Sequence, residues 1–195
     1  MSINITELPF YSSVPLVVVG QETAILQGGG YTFSGKRQNM TPPRSLLNNA
    51  LYIVSAVSFT TDISILDFQS SINTNPAVNF FSSGQGGAPL GRDKIVCANY
   101  LEQFQYMYLF EPASTPNFLK FNITGELEQT PNLVGKNSLT ATVTLSMMEV
   151  TNEKFRAYYR DYLETHSPAE KGQGVPMGHF KQYVNQHGFC PKGRG

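Results

Sequence analysis

The sequence predicts an all-β protein, an antiparallel β-sandwich of jelly-roll type with about eight strands and one or two C-terminal helices. Three observations predict it. Apolar and polar residues alternate at period two through much of the chain from Val14 to Val150. Gly, Pro and Asn interrupt that alternation at short intervals, as in "INTNPA", "SSGQGGAPLGRD" and "EPASTPN". After Val150 the period becomes helical, and no pattern before it is long enough to supply the crossover helices of a parallel sheet. The expected organisation is an N-terminal arm over 1–13, the sandwich over 14–150 and a helical extension over 151–195.

Taken in order, "PLVVVG" (15–20) and "ETAIL" (22–26) are short apolar pieces that read as two strands. A short turn is expected near Arg44 to Asn49. In the next strand Leu51, Ile53, Val57 and Phe59 share one parity, which places them on one face, and Thr60 to Ser70 continues as a second strand or as the same one after a bend. "AVNFF" (77–81) and "KIVC" (94–97) are further strands. Phe104, Tyr106, Tyr108 and Phe110 form an aromatic column, alternating with Gln105, Met107, Leu109 and Glu111. Leu119, Phe121 and Ile123 mark a half-buried strand, and Leu139, Ala141, Val143, Leu145 and Met147 mark a longer one. Phe155, Tyr158, Tyr159, Tyr162 and Leu163 then fall at i, i+3, i+4, i+7 and i+8, with Thr151 or Asn152 as N-cap and Glu153 in the first turn. Phe180, Tyr183, Val184 and His187 mark a second short helix, stopped by Gly188 and Pro191.

Charge bounds the function. Asp, Glu, Lys and Arg make up 14% of the 195 residues, against about 25% in an ordinary soluble domain. Fourteen basic residues balance fourteen acidic ones, so no net field steers the chain to nucleic acid or an anionic membrane. Low, balanced charge favours association over a monomeric state. No apolar run reaches the length of a transmembrane helix, and the start Met1-Ser-Ile-Asn lacks a secretory pattern, so synthesis in a cytoplasm is expected. Cys97 and Cys190 have no metal or redox spacing and read as free thiols, and the sequons at Asn4, Asn39 and Asn122 carry no meaning without secretion.

Chemical motifs are weak. "GGGYTFSGKR" (28–37) nearly spells a phosphate-binding loop, but Arg37 replaces the metal-binding hydroxyl, and Pro42 and Pro43 break the helix that must follow. Gly28 to Gly30 read instead as a turn. "GQGGAPLGRD" (84–93) lacks dinucleotide spacing and reads as a polar loop. His166, His179 and His187 form no metal motif, and no cofactor is expected. The acid/base candidates are Asp62, Asp67, Glu102, Glu111, Glu126, Glu128 and Glu149; a sandwich glycosidase needs two such carboxylates across a groove. No enzyme signature stands out, and a non-enzymatic protein is expected.

"QNMTPPRSLLNNALYIVSAVSFTTDISILDFQ" (38–69) and "FNITGELEQTPNLVGKNSLTATVTLSMMEV" (121–150) resemble the small jelly-roll capsid and vertex proteins of tailless icosahedral bacterial viruses. The resemblance is one of texture: low charge, abundant Asn, Gln, Ser and Thr, alternating strands and a polar-aromatic C-terminal arm. It implies a virion structural protein, a penton or minor capsid component, made in the host cytoplasm and located in the virion. Its partners would be copies of itself, as in a pentamer, and other capsid proteins. Phe155, Tyr158, Tyr159, Tyr162, Phe180, Tyr183 and Phe189 are the expected interface. The alternatives are a carbohydrate-binding sandwich in which Tyr106, Tyr108 or the tyrosines near 158–162 stack on sugar, and a β-sandwich glycoside hydrolase.

Overall fold

The computed structural model describes residues 11–41, 45–82, 95–96, 103–104, 108–110, 117–166 and 175–187. In chain order the elements are β1 (Val14–Gln27), β2 (Gly30–Thr32), β3 (Gln38–Asn39), β4 (Ser45–Leu46), β5 (Leu51–Thr61), α1 (Ile65–Ser71), β6 (Ile72–Ser82), β7 (Ile95–Val96), β8 (Gln103–Phe104), β9 (Tyr108–Phe110), β10 (Asn117–Glu128), β11 (Ser138–Val150), α2 (Glu153–His166), β12 (Val175–Pro176) and α3 (Met177–His187).

The strands form a curled antiparallel sheet in the order β12-β9-β5-β11-β1-β2-β10-β6-β7. β2, β3 and β4 occupy successive stretches beside β10, and β8 and β9 do so beside β5. β1 therefore lies beside β11, the strand that precedes the C-terminal helices, followed by β5 and then β9. The other half runs from β2 through β10 and β6 to β7. Two interleaved Greek keys in two facing sheets make a jelly roll, as the alternation predicts. Leu16, Val18, Phe59, Val143 and Leu145 from one half meet Val78, Phe80, Leu119, Phe121 and Ile123 from the other in one core. Burial of these faces is what drives the sheet to curl.

Several local readings are corrected. The two pieces at 15–20 and 22–26 are one strand of 14 residues, because Gly20 does not end it. A Cβ at Gly20 would lie 2.4 Å from Phe121 Cε1, so the glycine makes room for a ring. β5 does not keep one face. Ser146 pairs with Ala56 and Met147 with Val54, which leaves Ser55 as an extra residue. That bulge flips the parity. Val57 and Phe59 join the sandwich core with Tyr52 and Val54, whereas Leu51 and Ile53 face the helical extension.

Thr60 to Ser70 is not a strand beyond Thr61. Ser64 caps α1, its Oγ accepting from Asp67 N–H (3.2 Å) and donating to Asp67 Oδ2 (2.6 Å). "INTNPA" is not a turn either, since it lies in β6. Between the pairs Thr124–Ala77 and Glu126–Thr74, Asn75 and Pro76 stand opposite Gly125 alone. The bulge absorbs a proline that a regular ladder would exclude. The turn expected near 44–49 falls at Asn48–Asn49, with Ala50 N–H donating to the Leu47 carbonyl (3.3 Å). Of the aromatic column, Gln103–Phe104 and Tyr108–Phe110 are strands, and Tyr106 lies outside the described residues.

Candidate functional site

The aromatic stripe is the first candidate. Asn152 Oδ1 caps α2, accepting from Lys154 N–H (3.0 Å) and Phe155 N–H (3.2 Å). The helical period then sets Phe155, Tyr158, Tyr159 and Tyr162 on one side. That side packs on the outer face of the first sheet, against Leu51 and Ile53 of β5 and Val150 of β11. Phe180 of α3 inserts among the rings, its centroid 5.8 Å from Phe155, 6.1 Å from Tyr158, 5.8 Å from Tyr159 and 5.8 Å from Tyr162. Most of these pairs are edge-to-face, the geometry that ring quadrupoles favour. Tyr183 lies 5.3 Å from Tyr162, and its hydroxyl donates to Asp161 Oδ2 (2.6 Å). Burial, the bond to Asp161 and that carboxylate's charge together push the Tyr183 phenol above the ordinary tyrosine range. Tyr11 closes the cluster, 5.7 Å from Phe155, with its hydroxyl on the Met148 sulfur (3.2 Å).

These rings are the residues expected at a contact with a neighbouring chain. Phe155, Tyr158, Tyr159, Tyr162, Phe180 and Tyr183 are all buried within their own chain, none more than 5% exposed. Phe189 lies outside the described residues. The bulge at Ser55, which turns Leu51 and Ile53 outward to receive the helix, is invisible to a strict period-two reading.

The second candidate is the rest of that outer face. β1 presents Val17, Val19, Gln21, Thr23 and Ile25 outward, and β11 presents Thr140, Thr142, Thr144 and Ser146. Beside them β5 presents Ser58 and Thr60. None of these is ionisable. Thr23 and Thr140 hydroxyls are 3.1 Å apart, and Gln21 Nε2 donates to Thr142 Oγ1 (3.2 Å), which holds the hydroxyl rows in place. Val17 and Ile25 are 58% and 57% exposed. Sequence reasoning did not single out this face; the signal for it was "TATVTLS", whose polar positions carry no charge.

A seam between β1 and the second sheet is closed by polar contacts. Buried Glu22 accepts through Oε1 from Ser34 N–H (2.7 Å), and Thr41 N–H donates to the Val19 carbonyl. The loop that resembled a phosphate site lies here. Gly28 and Gly29 turn with φ of 60° and 88°, Gly35 N–H donates to the Ile123 carbonyl (3.0 Å), and β3 follows where a nucleotide loop needs a helix. Arg37 stacks on Phe81, its guanidinium carbon 4.0 Å from the ring centroid.

Among the carboxylates, Asp62 pairs with Lys136 (2.9 Å) and Glu149 accepts from Tyr52 OH (2.8 Å). The Ser64 hydroxyl and the Asn132 amide hold the Asp67 carboxyl below its ordinary value. Glu126 lies over Gly30, where a Cβ would sit 2.7 Å from its Oε1. Glu102, Glu111, the 84–93 loop and both cysteines lie outside the described residues. No group of three or more His, Cys, Asp or Glu among the described residues could hold a metal ion. The tyrosines at 158–162, which a sugar-binding platform would need on the surface, are buried.

No family model matches the chain, and no curated protein matches it. Among solved structures, one of infectious bursal disease virus Gt strain is similar at 9% identity and a TM-score of 0.26, over 89% of this chain and 54% of that one. One of the Gx strain is similar at 12% identity and 0.25, over 89% and 53%. One of the virus's VP2 subviral particle is similar at 11% identity and 0.25, over 88% and 54%. The chain spans about half the length of these structures, and likeness at such TM-scores carries no argument about function.

Proposed function

We propose that this chain is a structural subunit of a virion, a penton or minor capsid component of a tailless-phage type of shell, whose work is assembly rather than chemistry. The observation that carries the reading is the outer face of β1, β11 and β5, which holds no ionisable side chain across Val17–Ile25, Thr140–Ser146 and Ser58–Thr60. A surface that stays in water usually carries about 25–35% charged residues. Interface cores are depleted of charge, because each buried charge must be desolvated. A jelly roll whose broad face is uncharged suits lateral packing against copies of itself, such as a pentamer, and against other capsid proteins. Among the described residues the carbohydrate-binding and hydrolase readings have no such support: the platform tyrosines at 158–162 are internal, and Asp62, Asp67 and Glu149 are engaged with neighbours within the chain.

The test places a charge on that face. Thr142→Lys, at the centre of the hydroxyl rows, should leave the unfolding midpoint nearly unchanged, as surface substitutions do within about 0.5 kcal/mol, and should lower the assembled fraction in sedimentation velocity. An assembly unaffected by the lysine would remove the face from the reading.

A further inference from the structure

We infer that the outer face of the second sheet carries a phosphate-binding patch, centred on Arg37 and Lys120, that takes the sugar–phosphate backbone of nucleic acid without regard to base sequence. The inference goes beyond the assembly reading and does not depend on it.

Three adjacent strands build the patch. Leu119, Phe121 and Ile123 of β10 face the core, so Lys120 and Asn122 between them face outward. In register, Lys120 stands beside Phe81 of β6 on one side and Asn39 of β3 on the other. Arg37 reaches over the same row, its guanidinium carbon 4.0 Å from the Phe81 ring centroid. Directly opposed residues have Cβ atoms about 4.5–5.5 Å apart, so two cations share one row. Lys36, also exposed, precedes Arg37 in the chain. In the next row Asn79 Nδ2 donates to Asn122 Oδ1 (3.0 Å), and Asn122 Nδ2 donates to the Gly35 carbonyl (3.0 Å). These amides tie down the segment that carries Lys36 and Arg37.

Among the described residues no carboxylate pairs with these cations. Glu22, bonded to Ser34 N–H, is buried on the inner side of β1. Glu126 lies six residues along β10 from Lys120, about 20 Å at roughly 3.4 Å per residue and beyond the Debye length of about 8 Å. Like charges held in one row repel, and an anion between them removes that cost. The balanced charge of the whole chain therefore hides a local excess. The neighbouring amides suit phosphate and sugar oxygens. Phe81, the ring in the patch, is 5% exposed, so it offers no platform to a base and no wedge to a bilayer.

The test is fluorescence anisotropy of the full chain on a labelled, mixed-sequence DNA duplex over a salt series. Each phosphate contact contributes about −0.9 to the slope of log K against log salt, so two or three contacts give about −2 to −3 and an affinity loss of about 10–40-fold between about 50 and 200 mM salt. Arg37→Gln/Lys120→Gln should remove about two from the slope, and Lys120→Gln, which leaves the Arg37–Phe81 stack in place, about one. Lys154→Gln, at an exposed position of α2, changes net charge as much as Lys120→Gln does and should leave the slope unchanged. Matching far-ultraviolet spectra and unfolding midpoints keep the comparison between folded proteins. A slope untouched by Lys120→Gln, or no duplex binding by the wild-type chain at about 50 mM salt, overturns the inference. Capture by vesicles of equal parts phosphatidylcholine and phosphatidylserine, with the duplex left unbound, overturns it as well.

Discussion

Replacing Gly20 by alanine should destabilise the sandwich, although the new residue is ordinarily the better one for a strand interior. The added Cβ would sit 2.4 Å from Phe121 Cε1, 2.6 Å from Cδ1 and 2.8 Å from Cζ. Ordinary carbon contacts lie at about 3.5–4.0 Å, so the ring must retreat by about 1 Å. Phe121 is fully buried on β10, with Phe80 opposite on β6, so the ring has close-packed neighbours to displace. Overpacking of this kind costs about 1–3 kcal/mol. The entropy gained by removing a glycine returns roughly 0.5–1 kcal/mol, leaving a net loss of about 1–2 kcal/mol. For a domain of this size that lowers the melting temperature by roughly 2–8 °C. Urea unfolding at constant m-value is the assay. The double variant Gly20→Ala/Phe121→Leu gives the coupling, since a smaller side chain should accept the methyl and make the two losses less than additive. A neutral Gly20→Ala, or strictly additive losses, would refute the claim that the glycine exists to seat the ring.

Phe180→Ala should cost about 3–5 kcal/mol within the helical extension, read as loss of the near-ultraviolet aromatic signal while the far-ultraviolet strand signal persists. Ser64→Ala should destabilise by about 1 kcal/mol through loss of the α1 cap, and an NMR titration of Asp67 should show its carboxyl moving up toward its ordinary value. The raised Tyr183 pKa means that its contribution is complete below the unfolded tyrosine value of about 10 and is lost as pH rises through the higher folded value. Alkaline titration followed by near-ultraviolet circular dichroism should therefore show the aromatic cluster loosening above that range, and Tyr183→Phe should remove this phenolic contribution to the transition.

The parts legible in the sequence were those governed by one period. β11 alternates without interruption, and its buried residues Leu139 to Met147 are those the alternation marks. The stripe of α2 and the apolar positions of α3 were equally readable from their spacing, and so was the sandwich class. What escaped was set by tertiary contacts or by single-residue irregularities. Gly20 looked like a strand end because the ring that needs its missing Cβ lies about a hundred residues away on β10. Ser55 carries no mark of the bulge that turns Leu51 and Ile53 to the outer face. α1 was hidden because Ile63 and Ile65 alternate with Asp62 and Ser64 as in a strand. The available signal was Ser64 three residues before Asp67, a capping pattern. The helical spacing marks the aromatic residues of α2 as one stripe, but the partner of that stripe within the chain, the outward end of β5, depends on that bulge.

The most direct measurement of the central claim is the native mass of the wild-type protein by size exclusion with light scattering, from dilute to concentrated samples and in the presence of its co-expressed shell partners. A subunit built to pack through an uncharged sheet face should form, alone, a closed ring or larger shell whose mass is a fixed multiple of 21.6 kDa, or, with those partners, a larger complex that retains it. A chain that remains monomeric at every concentration and with every such partner would contradict the account.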